Sequence, residues 1–225
     1  MTLYENLPEF SSIEHHIPSE IESASMRTIM SELSEMGISV EKENEPVVLR
    51  CIHASADFDY AKNLVFSSGA VGKLSSILAH ERPVIVTDTN MALSGISAPV
   101  CEKFGIEKVC FMADPEVASA SKASGLTRAV CSVDKAVSIF SGRPVVFAVG
   151  NAPTALVRIR QLFDAGVFRP AFVVAVPVGF VNVIPAKNLI LESPLDSIIA
   201  SGRKGGSPIA AAILNAVLYS LSKRA

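Results

Sequence analysis

One histidine stands close to two carboxylates. In Cys51-Ile-His53-Ala-Ser-Ala-Asp57-Phe-Asp59-Tyr60 an imidazole lies within a few residues of Asp57 and Asp59. Side chains of these types can move protons or hold a metal ion. They equally suit a buried histidine bonded to a nearby backbone group, with Asp57 capping a helix. A second segment, Ser201-Gly202-Arg203-Lys204-Gly205-Gly206-Ser207-Pro208, sets two adjacent cations and two glycines before an Ala- and Leu-rich run. Cations, flexible N–H groups and a helix dipole all favour a bound anion there. The plainer alternative is a solvated turn.

Three further segments combine polar side chains with turn residues. Thr87-Asp88-Thr89-Asn90-Met91-Ala92-Leu93-Ser94-Gly95 follows an apolar run, as a ligand-facing loop or a strand-closing Asx-turn would. Val149-Gly150-Asn151-Ala152-Pro153-Thr154 reads as a strand–turn–helix junction, with Pro153 suited to the first helical turn. Free N–H groups at such a junction can receive a carboxylate or phosphate. Pro177-Val-Gly179-Phe180-Val-Asn182 is the third, and Lys187 follows it closely. None of these segments is G-x-G-x-x-G or a nucleotide-hydrolase phosphate loop, so no dinucleotide site is expected.

The elements that must carry these segments alternate. A helix is expected over 18–36, with Ser19 as N-cap and Glu22 completing a capping box. The run 47–52 suits a strand or a helical turn, and 64–79 looks helical. Strands are expected at 83–87, 108–112, 144–149 and 171–176. Helices are expected near 97–104, 115–124, 128–140, 153–165 and 208–223. Continuously apolar strands suit a parallel sheet covered on both faces. The pattern predicts an α/β, doubly wound, mostly parallel sheet flanked by helices. All 225 residues would form a single domain, with residues 1–45 as an N-terminal helical segment packed on the core. Functional loops then fall at the carboxyl ends of the strands.

The bulk numbers exclude several classes. Hydrophobic residues make up 49% and charged residues 19%, which argues against disorder. The net charge of -2 gives no basic field for nucleic acid. The longest apolar stretch, 171–183, is interrupted by Pro177, Gly179 and Asn182 and is too short to span a membrane. A mean hydropathy of +0.40 fits buried parallel strands and a buried subunit interface. Cys51, Cys101, Cys110 and Cys131 form no C-x-x-C pair. The first ten residues carry no signal-peptide pattern, so a cytoplasmic location with reduced thiols is expected.

Taken together, the segments resemble one family, the cobalt-precorrin-8 and precorrin-8X methylmutases of cobalamin biosynthesis. The matching strings are IHASADFDYA (52–61), TDTNMALSGI (87–96), VGNAPTAL (149–156), PVGFVNV (177–183) with AK following, and GRKGGS (202–207). IESASMRTI (21–29) is similar to the family's opening helix. HASADFDYA and DTNM resemble the cobalt-dependent branch. The chain departs from the family pattern at Ala54 and Ser55, where two threonines are usual.

The resemblance implies an isomerase that shifts a methyl group from ring carbon 11 to ring carbon 12, giving the corrin macrocycle. The histidine matching His53 would be catalytic, protonating or hydrogen-bonding a ring nitrogen. Residues matching the family's substrate site are Ser25, Arg27, Thr89, Asn90, Met91, Gly150, Asn151, Thr154 and Gly179, with Arg203, Lys204, Gly205, Gly206 and Ser207. No metal ligands and no redox or nucleotide cofactor are expected. The partner is a corrinoid small molecule, with neither nucleic acid nor membrane, and the assembly a homodimer with its active site at the subunit interface.

The residues themselves agree with such a substrate. A flat apolar ring fringed with carboxylates needs anion-binding groups, which Arg27, Arg203, Lys204 and the glycine turns offer. It also needs an apolar floor, for which Met91, Leu93 and Phe180 are candidates. A pericyclic shift requires no nucleophile, and one proton donor that titrates near neutrality is enough. Three alternatives remain at the level of sequence: the same shift on a cobalt-free ring, a corrinoid carrier without turnover, and a metal hydrolase built on His53, Asp57 and Asp59.

Overall fold

A computed structural model describes residues 17–224. In chain order, α1 is Pro18–Glu35, α2 Glu45–Ser55, α3 Tyr60–Asn63, β1 Leu64–Phe66, α4 Ala70–His80 and β2 Val84–Thr87. Next come α5 Asn90–Gly95, α6 Ala98–Phe104, β3 Glu107–Val109, α7 Pro115–Ser124 and α8 Arg128–Phe140. The remainder is β4 Val145–Val149, α9 Pro153–Asp164, β5 Phe172–Ala175, α10 Val183–Leu191, β6 Ser197–Ala200 and α11 Ser207–Arg224.

The strands form one sheet in the order β1-β6-β5-β4-β2-β3. Every described pairing is parallel except β1 on β6, where Leu64 faces Ala200. The fold is therefore the α/β sheet flanked by helices that the apolar runs predict. Successive strand residues point to opposite faces. Ile85, Val146, Ala148, Phe172, Val174 and Ile198 pack under α2, α4, α6 and α11. Val84, Val86, Phe147, Val173 and Ile199 pack under α8, α9 and α10. Both faces are dry, which is why the strands read as unbroken apolar runs.

Chain order changes direction between β2 and β4. The helices linking β2 to β3 lie on one face, and those linking β4 to β5 and β6 lie on the other. A crevice opens at such a switch point, at the carboxyl ends of the two strands. Because β1 runs antiparallel to β6, the segment before Leu64, which includes His53, reaches that same end of the sheet.

Several local expectations need correcting. Helix α1 starts at Pro18 with Ile17 as N-cap, so Ser19 is not the cap. Glu22 pairs with Arg50 of α2 at 2.6 Å in place of closing a capping box. The supposed helix 64–79 begins as the edge strand β1. The loop 90–95 is the short helix α5, whose N-cap Thr89 accepts from the Ala92 N–H. Helix α10 and strand β6 had no counterpart in the expected elements. All four cysteines are free thiols. No helix among the described residues is long and apolar enough to cross a membrane.

Candidate active site

His53 lies in the last turn of α2, before a left-handed C-cap at Ala56. Its side chain is exposed, so it is not a satisfied core histidine. It lines a groove of about 380 Å³ with Ile21, Ser25, Thr28, Ile52 and Phe58. Helix α1 forms the opposite wall because Ile29 and Leu33 anchor it in the core. Ser25 is thus brought beside His53, its hydroxyl donating to the Ile21 carbonyl at 2.9 Å. Arg27 is not among the lining residues. Two residues further on, it points about 200° around the helix and is exposed.

The aspartates beside His53 do not form a metal centre. Lys204 Nζ donates to Asp57 Oδ2 at 2.7 Å and to Asp59 Oδ2 at 2.6 Å. No group of three or more His, Cys, Asp or Glu side chains converges among the described residues. His15 and His16 lie outside them. The two hydrogen bonds hold the Lys204 ammonium above the ordinary lysine range, and Lys204 holds the Asp57 carboxyl below its usual range. The Asp57 arm of the latch is therefore intact at neutral pH, and it is lost as pH falls through the depressed Asp57 value or rises through the raised Lys204 value. It fastens the His53 segment to the loop between β6 and α11.

The switch-point crevice is already filled. Asp88, 6% exposed, extends its carboxylate from the end of β2 into the turn after β4. Oδ1 accepts from the Gly150 N–H at 2.8 Å, and Oδ2 accepts from the N–H groups of Asn151 at 2.8 Å and Ala152 at 2.6 Å. Burial holds the Asp88 carboxyl above its ordinary range, and the three N–H groups offset only part of that rise. The turn does receive a carboxylate, but the carboxylate is the protein's own. Gly150 and Asn151 thus have no free N–H to offer a ligand.

The start of α11 closes over this turn. A Cβ on Gly150 would stand 2.7 Å from Ser207 Cα and 2.8 Å from its nitrogen. Gly150→Ala is expected to destabilise the protein by about 1–3 kcal/mol through this overlap, read as a lower midpoint in urea. Ser207 and Thr89 share a hydroxyl–hydroxyl bond of 2.7 Å, and Thr154 pairs with Thr127 at 2.9 Å. The Gly206 N–H donates to the Val176 carbonyl at 2.8 Å, and the Gly179 N–H to the Arg203 carbonyl at 3.2 Å. The expected anion trap therefore keeps Arg203 as its outward cation, while Lys204 and the Gly206 N–H are committed to other loops. Gly205 has φ +153°, and a Cβ there would meet the Val176 carbonyl oxygen.

The apolar candidates behave differently. Met91 is 66% exposed and Phe180 82%, while Leu93 is half-buried. The Arg203 guanidinium lies over the Phe180 ring, 5.3 Å from its centroid. Asn90 and Asn151, at the carboxyl ends of β2 and β4, are also exposed. The face at the carboxyl ends of the strands thus combines an exposed imidazole, an arginine stacked on an aromatic ring, and uncovered apolar side chains. It can hold a large flat anion and give it a proton.

Residues 20–220 match the family model described as CbiC, precorrin-8X methylmutase. The chain belongs to the precorrin-8X methylmutase family. It is therefore an isomerase of cobalamin biosynthesis, an intramolecular methyl transferase. It is 43% identical over 180 residues to the cobalt-precorrin-8 methylmutase of Salmonella typhimurium, covering 79% of this chain and 82% of that one. To the precorrin-8X methylmutase of Pseudomonas aeruginosa it is 31% identical, covering 86% and 91%. The crystal structure titled as precorrin-8x methyl mutase from Thermus thermophilus superposes with a TM-score of 0.83 at 36% identity, covering 92% of this chain and 97% of that one.

Two polar residues of this methylmutase fold escaped the sequence reading of the site. Asp88 is the one acid in the 87–96 string. Lys187 is the single charge in the nine-residue helix VIPAKNLIL, and it is 1% exposed. A lone charge within an apolar helix was the available signal for the second.

Proposed function

We propose that the substrate is cobalt-precorrin-8 and that the product is the cobalt-containing cobyrinic acid. The methyl group leaves ring carbon 11 as its bond breaks and joins ring carbon 12 as a new bond forms. The reaction is an isomerisation, so no electrons are gained or lost. His53 lends a proton to a ring nitrogen, which draws electron density from the conjugated system and eases the migration, and the proton returns afterwards. The observation carrying this role is the exposed imidazole in a groove, on a segment latched through Lys204 to the loop of Arg203. Arg203, Ser25, Thr89, Asn90, Met91, Gly179, Gly205 and Ser207 form the substrate-facing surface in this reading.

Residues 1–225 act as one domain, and the working form is a cytoplasmic homodimer with the active site at the interface. The uncovered Val178, Phe180 and Val181, of which Phe180 is 82% and Val181 76% exposed, support a partner surface there. Support for cobalt comes from the relatives: 43% identity to a protein named for the cobalt substrate against 36% and 31% to two named for precorrin-8X.

The test is to incubate the protein separately with cobalt-precorrin-8 and cobalt-free precorrin-8X and to follow the visible spectrum. Faster conversion of the cobalt form is expected. Preference for the free ring overturns the cobalt assignment. A tightly held corrinoid that never converts would make the protein a carrier.

A further inference from the structure

The loop that carries Arg203 rests on a buried ammonium. Lys187 sits mid-way along α10 and is 1% exposed. Its Nζ donates to the Gly202 carbonyl at 2.9 Å and to the Lys204 carbonyl at 2.8 Å. Burial alone pushes the ammonium down to about 8, and no described carboxylate pairs with it. An unpaired cation in a dry place is costly, and a methionine would fill the same space without that penalty. The two carbonyls meet its hydrogen-bonding demand but leave its charge unbalanced.

The geometry of the peptide unit shows what the arrangement achieves. In a trans peptide the C=O of one residue and the N–H of the next point in opposite directions. With the Gly202 and Lys204 carbonyls drawn inward to Lys187, the Arg203 and Gly205 N–H groups are turned to the opposite side. Neither of these N–H groups makes a backbone hydrogen bond to a described residue. Gly205, at φ +153°, adopts a conformation that a side chain would obstruct. Two N–H donors and the Arg203 guanidinium are thereby left on one short loop.

We infer that Lys187 is a positioning residue of the substrate site: it holds the Gly202–Lys204 backbone so that the Arg203 and Gly205 N–H groups receive substrate carboxylates, whose charge balances the ammonium beneath. The inference rests on the corrinoid reading above. Lys187 itself touches no substrate.

The test uses the full-length protein and two probes, cobyrinic acid and its heptamethyl ester, which share a ring but differ in carboxylate charge. Lys187→Met is expected to weaken cobyrinic acid about 10-fold or more while the ester changes little, and to raise KM more than it lowers kcat. Equal weakening of both probes, or of neither, overturns the inference. A second measurement needs no variant. With ¹⁵Nζ-labelled lysine, the Lys187 signal in wild type is expected to move as cobyrinic acid saturates the protein. A signal that stays in place at saturation overturns the inference whatever the variant does. If wild type binds neither probe, the corrinoid reading falls as well. If wild type binds and converts its substrate but Lys187→Met is indistinguishable from it, only the role of Lys187 falls.

Discussion

His53→Ala is expected to lower kcat by about 10²–10⁴-fold while corrinoid binding persists. The imidazole is exposed at the end of α2, so its removal opens no hole in the core. A positive charge at a helix C-terminus contributes only about 0.3–1 kcal/mol, so the variant should fold. Binding should survive because the groups proposed to face the substrate carboxylates lie on other loops, those of Arg203 and Asn90. What remains of the rate would come from holding the ring in a reactive geometry. The check is paired: conversion followed by visible absorption, and affinity for cobyrinic acid by titration. Wild-type turnover in the variant would remove His53 from the mechanism while leaving the family assignment untouched.

Asp88→Asn is expected to have the largest effect on stability. The carboxylate accepts three successive N–H groups from one turn, and the Gly150 N–H is fully buried with it. An asparagine keeps one acceptor oxygen and turns an NH₂ group towards a donor. At least one N–H then loses its partner and another faces a like dipole. Bonds to a charged group contribute about 1.5–3 kcal/mol each, and an orphaned buried donor costs about 1–3 kcal/mol. A loss of about 3 kcal/mol follows, or roughly 6–12 °C in Tm for a chain of this size, read by circular dichroism. A shift below about 2 °C would mean that water replaces the carboxylate freely. The same turn seats the start of α11, so catalysis should suffer along with stability.

The sheet was legible because its central strands are buried on both faces. Val84–Thr87, Val145–Val149 and Phe172–Ala175 stand out as β-branched and apolar runs between turn residues. Strand β1 has only three residues and pairs at the edge, so no periodicity marks it. Strand β6 is four residues long, and α10 carries Pro185. That proline is tolerated because the first turn of a helix has no intrahelical acceptor for its N–H groups, yet in sequence it reads as a breaker. Pro18 likewise decided where α1 begins, against a plausible serine cap.

The site was legible as a set of loops but not as a set of contacts. Strand-end loops with Gly, Asn and Thr identify themselves. Which polar groups meet across them is a long-range matter. Asp88 and Gly150 are 62 residues apart, and Lys204 and Asp57 are 147 apart. Several groups that seemed free to bind an anion, such as the Gly150 and Asn151 N–H groups, are satisfied within the protein. Most buried polar groups in folded proteins are satisfied internally, so a turn rich in donors is weak evidence for a ligand until its neighbours are known.

The position of α11 has a consequence for how the protein is made. The apolar faces of α2 and α4 are covered by α11, and Lys204 and Ser207 stand just before or at its start. Until the ribosome has added α11, the His53 segment has neither its floor nor its latch. Synthesis proceeds at about 5–20 residues per second, so until α11 has emerged the nascent chain displays a greasy surface that this helix later covers. A stop codon before α11 would therefore leave a sticky chain with an incomplete site.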